Sequence, residues 1–163
     1  MGGTSLGIFG RRRLTPGQLR AVAEHRFEDA VCLLYSGQNA RATGAMYMGG
    51  FVIECLLKAL LLERHRNLQG PVDPATLSVS DKEVFRLLYV SHELDAMLGF
   101  LPEIEKKLKA RMESDGIGIW ERFRTVCEQW TVFARYSSKA ARKEDAELFL
   151  GTIREVKQWL RDL

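Results

Sequence analysis

The stretch that decides the fold is Gly44–Leu62, GAMYMGGFVIECLLKALLL, in which three glycines, one glutamate and one lysine interrupt an apolar run. Its length and composition predict a long α-helix that is apolar on most faces and therefore lies at the centre of a helical bundle. Glu54 and Lys58 would each cost about 3 kcal/mol near the centre of a bilayer. We therefore favour a buried helix in a soluble, non-membrane protein.

One face of this helix carries polar or small side chains at helical spacing: Thr43, Tyr47, Gly50, Glu54 and Lys58. The last two stand at i, i+4 with glutamate first, which is the favourable order for an ion pair. An isolated buried ion pair stabilises little, because desolvation offsets much of its Coulombic attraction. We therefore expect further polar groups to meet this stripe, and the candidates from elsewhere in the chain are His92, Arg135 and Tyr136.

The glycines need a separate explanation, because each glycine in a helix interior costs about 1 kcal/mol relative to alanine. Small residues recur along the helix at Ala42, Ala45, Gly49 and Gly50. They remove side-chain bulk where another element approaches closely. The sequence leaves two neighbours open, the first helix or a second copy of the chain.

The whole chain has 163 residues, of which 46% are apolar and 28% charged, with a formal net charge of +3. This composition predicts one globular domain and excludes disordered, collagen-like and disulfide-stapled chains. A mild basic excess is compatible with a nucleotide or nucleic-acid partner. Residues 1–14 are interpreted as a flexible tail without a signal peptide, and residues 15–163 as the folded domain.

The three cysteines, Cys32, Cys55 and Cys127, lie in apolar helical segments, and none forms a C-x-x-C pair. This pattern predicts reduced, buried thiols of a cytoplasmic protein. The sequence contains no P-loop, no H-E-x-x-H motif and no paired metal ligands. We therefore expect neither a metal site nor a cofactor.

Helical signals dominate, and they predict an all-α fold, an up-and-down bundle of five main helices plus short helical pieces. Thr15–Gln18 is a capping box that opens the first helix, which closes at Ser36-Gly37. A second capping box, Ser80–Glu83, opens a short helix, and Ser91 is expected to cap the next one. The remaining predicted helices cover about 39–66, 92–100, 103–112, 119–130 and 142–163.

Three segments, taken in this order, resemble HEPN domains (higher eukaryotes and prokaryotes nucleotide-binding). They are AMYMGGFVIECLLKALL at 45–61, SHELDAML at 91–98 and WTVFARYS at 130–137. The resemblance covers about residues 15–163. It implies a helical bundle that commonly forms a homodimer and associates with nucleotides or RNA. Members of this family are ribonucleases or non-catalytic partners of minimal nucleotidyltransferases, in toxin–antitoxin or defence systems.

Our leading hypothesis is a HEPN-type module that binds a nucleotide or RNA in a polar cleft. The expected cleft residues are Glu54, Lys58, His92, Asp95, Arg135 and Tyr136. The two cations Lys58 and Arg135 would hold a phosphate, and the Tyr136 ring would pack on a base or sugar. The two acids would orient the cations.

Two alternatives remain. The ribonuclease branch of the family carries R-x(4–6)-H, and no histidine follows Arg135, but Arg86…His92 has five intervening residues and Arg20…His25 has four. The second hypothesis is thus a metal-independent endoribonuclease, in which Arg86 stabilises charge on the phosphate and His92 transfers protons. The third is a non-catalytic protein partner of a nucleotidyltransferase. Whether the chain is an enzyme stays open.

Overall fold

The structure, a computed structural model, describes residues 14–38, 41–69, 72–112, 116–132, 136 and 140–163. In these residues the chain is an all-α helical bundle, as predicted, with no β-strand beyond one isolated bridge between Met112 and Gly118. The predicted tail falls outside the described residues except for Leu14, which packs against the core.

The described residues form seven α-helices, and two short 3-10 turns, at Arg66–Leu68 and Pro74–Thr76, lie between the second and third of them. The α-helices are α1 Pro16–Leu34, α2 Ala42–Arg64, α3 Val79–Tyr89, α4 Leu94–Gly99, α5 Pro102–Ala110, α6 Ile119–Gln129 and α7 Lys143–Arg161.

The ends of α1 follow the predicted signals. The Thr15 hydroxyl accepts a hydrogen bond from the Gln18 amide at 3.2 Å, and Pro16 occupies the first helical position, where its missing N–H is no loss. After Leu34 the chain turns through Gly37, whose φ of +79° favours glycine. These signals join α1 to α2 through a short connection, so the two helices pack as neighbours.

The central helix of the bundle is α2, as its composition predicts. It packs most extensively against α1 and α7, and most of its residues between Val52 and Leu62 are fully buried. Among the described helices only α2 is long and apolar enough to cross a membrane, with a mean hydropathy of 1.7 over its best window. Since 72% of that window is buried inside the protein, its apolar surface serves as the core.

The glycines of α2 make room for side chains of this same chain. A Cβ atom at Gly49 would lie 2.7 Å from Cδ2 of Leu150 on α7, and one at Gly50 would lie 2.0 Å from the Trp130 indole. Both distances are shorter than atoms tolerate. The expectation that the first helix or a second copy of the chain fills this space is therefore wrong at Gly49 and Gly50. The sequence could not identify partners that lie so far along the chain.

Two predicted helix starts are shifted. The N-cap of α3 is Ser78, whose hydroxyl accepts from the Asp81 amide at 3.1 Å, so the box predicted at Ser80 is wrong. The segment before α4 is not helical at His92, because the Ser91 hydroxyl accepts from the Glu93 amide at 3.2 Å and α4 begins only at Leu94. This shift places His92 in the connection between α3 and α4, outside both helices.

The cysteines differ from one another in exposure. Cys55 is buried and Cys127 partly buried, but Cys32 is exposed on the outer side of α1, so its predicted burial is wrong. Burial, together with the negative charge of Glu54, raises the pKa of the Cys55 thiol to about 11. The two thiols that are shielded from water behave as small apolar groups of the core.

Candidate functional site

The polar stripe of α2 contains a buried ion pair. Glu54 and Lys58 are only 4% and 7% exposed, and Nζ of Lys58 lies 2.7 Å from Oε1 of Glu54. A helical i, i+4 spacing brings them together, as predicted from the sequence. Because the lysine satisfies only part of the carboxylate, Glu54 retains acceptor capacity for a second partner.

That second partner is His92. Its Nδ1 atom lies 2.9 Å from Oε2 and 3.1 Å from Oε1 of Glu54. An ionised carboxylate only accepts, so Nδ1 carries the proton and donates it to Glu54. The ring of Phe51 meets the imidazole edge-on, with 6.0 Å between centroids, and the neighbouring residue Ser91 is buried. These contacts fix the orientation of the imidazole.

The other ring nitrogen of His92 is available. Within the part of the chain that the structure describes, no group hydrogen-bonds Nε2, and the side chain is 39% exposed. In the neutral imidazole Nε2 is therefore an acceptor, and in the imidazolium it is a donor. A histidine held through one nitrogen by a buried carboxylate, with its other nitrogen exposed, can bind a ligand or transfer a proton.

An open cleft of about 390 Å³, called here the His92 cleft, lies beside this imidazole. Its walls come from the turn before α4, from α4 itself, and from the end of α6 with the residues after it. The lining residues are Arg86, Ser91, His92, Glu93, Leu94, Asp95, Cys127, Trp130, Thr131 and Val132. This volume falls within the usual range of small-molecule sites.

Arg86 is held at the cleft by two carboxylates. Its Nε and Nη2 atoms bind Glu83, with a shortest distance of 2.7 Å, and Nη2 also lies 3.2 Å from Glu93. These bonds raise the pKa of Arg86 and lower the pKa of both Glu83 and Glu93. Among the described residues no acceptor takes the two N–H groups of Nη1. The guanidinium is therefore anchored by one side while the other can donate to a ligand.

Asp95 and Cys127 also line the His92 cleft. No described residue hydrogen-bonds the Asp95 carboxylate. Burial, and then the negative charge of Asp95, raise the pKa of the Cys127 thiol to about 12. At neutral pH the thiol is therefore protonated and inert, and Asp95 is an open acceptor on the cleft wall.

Trp130, which lines the His92 cleft, also contacts α2. Its indole lies against Gly50, and Nε1 donates to the Tyr47 carbonyl at 3.0 Å. Further along the stripe, the Thr43 hydroxyl accepts from the Ala141 amide at 2.8 Å. The first part of the polar stripe, from Thr43 to Gly50, is thus covered by residues that follow α6.

The structure brings several predicted site residues together. Glu54 and Lys58 lie behind His92 and do not line the cleft, whereas Asp95 lines the same cleft as His92. Tyr136 is 72% exposed. The predicted phosphate ligand Arg135 lies outside the described residues, so its position relative to the cleft stays a prediction.

The second R-x(4–6)-H candidate is placed differently. Arg20 forms an ion pair with Glu63, with Nη2 3.0 Å from Oε2, and His25 is exposed on α1. His25 does not line the shallow cavity of about 390 Å³ beside Arg20. By contrast, Arg86 and His92 line one cleft.

Sequence reasoning missed Glu93 and the structural role of Trp130. Glu93 binds Arg86, and the Ser91 hydroxyl donates to it at 3.0 Å. The sequence offered one signal for Glu93, its position directly beside the candidate residue His92. In the described residues no three His, Cys, Asp or Glu side chains converge as metal ligands.

The chain matches no protein-family model, no curated protein and no solved structure.

Proposed function

We propose that this chain is a HEPN-type module that binds the phosphate of a nucleotide or RNA in the His92 cleft. The observation that supports this most is the chain of contacts Lys58–Glu54–His92, which holds an imidazole rigidly at an open cleft. A buried carboxylate with two partners is difficult to justify by stability alone, because desolvation offsets most of the attraction. In our proposal the function of the buried Glu54 carboxylate is to position His92.

The phosphate would lie between two donors. The Nη1 group of Arg86 offers two N–H bonds, and Nε2 of His92 offers a third when the imidazole is protonated. Charge-assisted bonds from an anchored guanidinium are among the strongest that phosphate receives.

The remaining parts of the proposal come from the sequence. The resemblance to HEPN domains implies a homodimer acting in a toxin–antitoxin or defence context, and the cysteine pattern favours a cytoplasmic location. The side-chain chemistry of Arg135 and Tyr136 assigns the arginine to the phosphate and the tyrosine to a base or sugar. In our proposal Lys58 acts behind the cleft as a positioning residue.

The test is a titration of fluorescently labelled single-stranded RNA and of mononucleotides into the wild type, His92→Ala and His25→Ala. His25 is the matched control, since it is an exposed histidine outside the cleft. We expect His92→Ala to weaken binding at least tenfold and His25→Ala to leave it unchanged. Equal affinity in all three proteins, or no binding to the wild type, would refute the proposal.

A second candidate function is metal-independent RNA cleavage, favoured by the position of Arg86 and His92 on one cleft. Neutral His92 would take the proton of a ribose 2′-hydroxyl at Nε2, and the oxygen would attack the adjacent phosphorus. Arg86 would stabilise the charge that develops on the phosphate oxygens. The P–O5′ bond breaks, the leaving oxygen takes a proton from solvent, and the products are a 2′,3′-cyclic phosphate and a 5′-hydroxyl.

Incubation of labelled RNA with the protein in EDTA tests this second function. We expect cyclic-phosphate products from the wild type and from His25→Ala, and at least a hundredfold slower cleavage by His92→Ala. Undiminished cleavage by His92→Ala would show that another residue, or a contaminating nuclease, is responsible. RNA that stays intact with the wild type leaves the binding function as the only one of the two.

A further inference from the structure

An apolar groove of about 250 Å³, called here the Met48 groove, lies between α1 and α2. Its lining residues are Val22, Arg26, Met48, Phe51 and Cys55. Val22 is 37% exposed, whereas valine is usually buried. The Phe51 ring also contacts Trp130 and His92, so Phe51 connects the groove to the His92 cleft.

The Met48 groove offers an occupant few polar contacts. Arg26 is the only charged residue among the described residues that line it, and Nη1 of Arg26 already lies 2.7 Å from Oδ2 of Asp29. The Cys55 thiol stays protonated at neutral pH, because burial raises its pKa to about 11. A charged or strongly polar group would lose hydration here without gaining partners. The groove therefore fits an apolar occupant.

The volume of the groove limits the size of that occupant. A dry apolar cavity of about 150 Å³ binds a benzene molecule. A groove of about 250 Å³ therefore takes one phenyl ring together with part of an aliphatic side chain. This space suits a short apolar segment better than the whole face of a helix.

A segment of matching composition precedes α1 in the same chain. Residues 1–13, MGGTSLGIFGRRR, lie outside the described residues and contain Leu6, Ile8 and Phe9 close together. Val22 lies about 9 Å along α1 from Pro16, at 1.5 Å per residue. The stretch from Phe9 to Pro16 spans up to about 23 Å when extended. The segment is therefore long enough to place Phe9 on the groove.

We propose that Leu6, Ile8 and Phe9 dock in the Met48 groove of their own chain, with the Phe9 ring beside Met48. A short tether gives such a segment an effective concentration in the millimolar range. A weak apolar contact therefore suffices for docking, and a free partner has to compete with it. This assignment replaces the interpretation of residues 6–9 as part of a flexible tail, and it does not depend on the function proposed for the His92 cleft.

NMR of the full chain labelled with [13C-methyl]methionine tests the docking. A phenyl ring beside Met48 shifts its methyl resonance through the ring current, so we expect Phe9→Ser to move the Met48 signal. The signal of Met97, which is fully buried in the core, should stay in place and show that the fold is retained. Thr4→Ala, a change in the same segment outside the apolar cluster, is the matched control and should leave both signals unchanged.

Disulfide trapping provides a second measurement. In a Cys32→Ala background, Gly10→Cys combined with Val22→Cys should form an intramolecular disulfide at least tenfold faster than Gly10→Cys combined with Ala21→Cys. Ala21 is the exposed neighbour of Val22 and lies outside the groove, so both positions are equally far along the tether.

Three results would overturn the inference. The first is a Met48 signal that does not move in Phe9→Ser, and the second is an equal rate of disulfide formation at positions 21 and 22. The third is a Met48 signal that changes with protein concentration in the wild type, because a second copy of the chain would then occupy the groove.

Discussion

Nδ1 of His92 lies 2.9 Å from Oε2 of Glu54, although the two residues are 38 positions apart in the chain. The carboxylate comes from the buried centre of α2, and the imidazole comes from the turn before α4. Since Glu54 also binds Lys58, a change at any of the three residues alters the environment of the other two.

Lys58→Met should destabilise the protein by about 3 kcal/mol, because it leaves the buried Glu54 carboxylate with His92 as its single partner. The double variant Glu54→Gln/Lys58→Met removes both charges and should recover most of that loss. Chemical denaturation of the two variants and the wild type measures the difference. A double variant no more stable than Lys58→Met would show that the unpaired Glu54 carboxylate is not the cause of the loss.

Gly50→Ala should destabilise by about 1–3 kcal/mol, as overpacking of a core does. Its Cβ would overlap the Trp130 indole, so either that ring or α2 must move. Gly151→Ala is the matched control within a helix, because a Cβ there has no neighbour within 4 Å. That change should stabilise by about 0.5–1 kcal/mol through helix propensity. Thermal melting measures both changes, and the melting temperature should fall for Gly50→Ala and rise for Gly151→Ala. Equal shifts in the two variants would contradict the contact between Gly50 and Trp130.

Ser78→Ala should cost about 1 kcal/mol, because the Ser78 hydroxyl caps α3 by accepting from the Asp81 amide. Ser80→Ala changes an exposed residue inside the first turn and should cost a few tenths of a kcal/mol or less, as usual for such surface positions. The denaturation midpoints of the two variants show which serine caps α3. A larger loss at Ser80 would move the start of α3 to the position that the sequence suggested.

The three cysteines should react with iodoacetamide in a fixed order at pH 8. Cys32 is exposed and should be alkylated first, whereas the raised pKa values of Cys55, about 11, and Cys127, about 12, keep their thiolates scarce. Mass spectrometry of timed samples measures the order. Labelling of Cys127 as fast as Cys32 would show that the pKa of its thiol is not raised.

The same thiols make stability depend on alkaline pH. Their pKa values rise on folding from an ordinary value of 9.0, so the stability they contribute is present below pH 9 and is lost as pH rises toward 11 to 12. We expect the melting temperature to fall above pH 9, and to fall less steeply in Cys127→Ala. Parallel slopes in the two proteins would assign the alkaline loss to other groups.

Local patterns in the sequence predicted the fold class and part of the site. The Glu54–Lys58 pair follows from helical spacing within one helix, and His92 was expected to meet the polar stripe because a lone buried pair needs further partners. The capping residue of α3 was mistaken because Ser78 and Ser80 are each followed three residues later by an acid. Local sequence does not choose between two adjacent capping boxes.

The features that the sequence could not predict depend on contacts between distant segments of the chain. That Trp130 fills the space at Gly50 cannot be read from either segment, since 83 residues separate Trp130 from the Tyr47 carbonyl it binds. Similarly, the apolar surroundings of Cys32 in the sequence gave no sign that it lies on the outer side of α1. Exposure of a helical residue depends on which neighbours the helix acquires.

The links from α2 to the His92 cleft, His92 to Glu54 and Trp130 to Tyr47, have consequences for the order of folding. Contacts between α1 and α2 join adjacent segments and form with little loss of chain entropy, whereas these two links close loops of 38 and 83 residues. The hairpin of α1 and α2 can therefore form early in folding and the cleft late. A preparation whose circular dichroism spectrum is helical can still lack a formed His92 cleft.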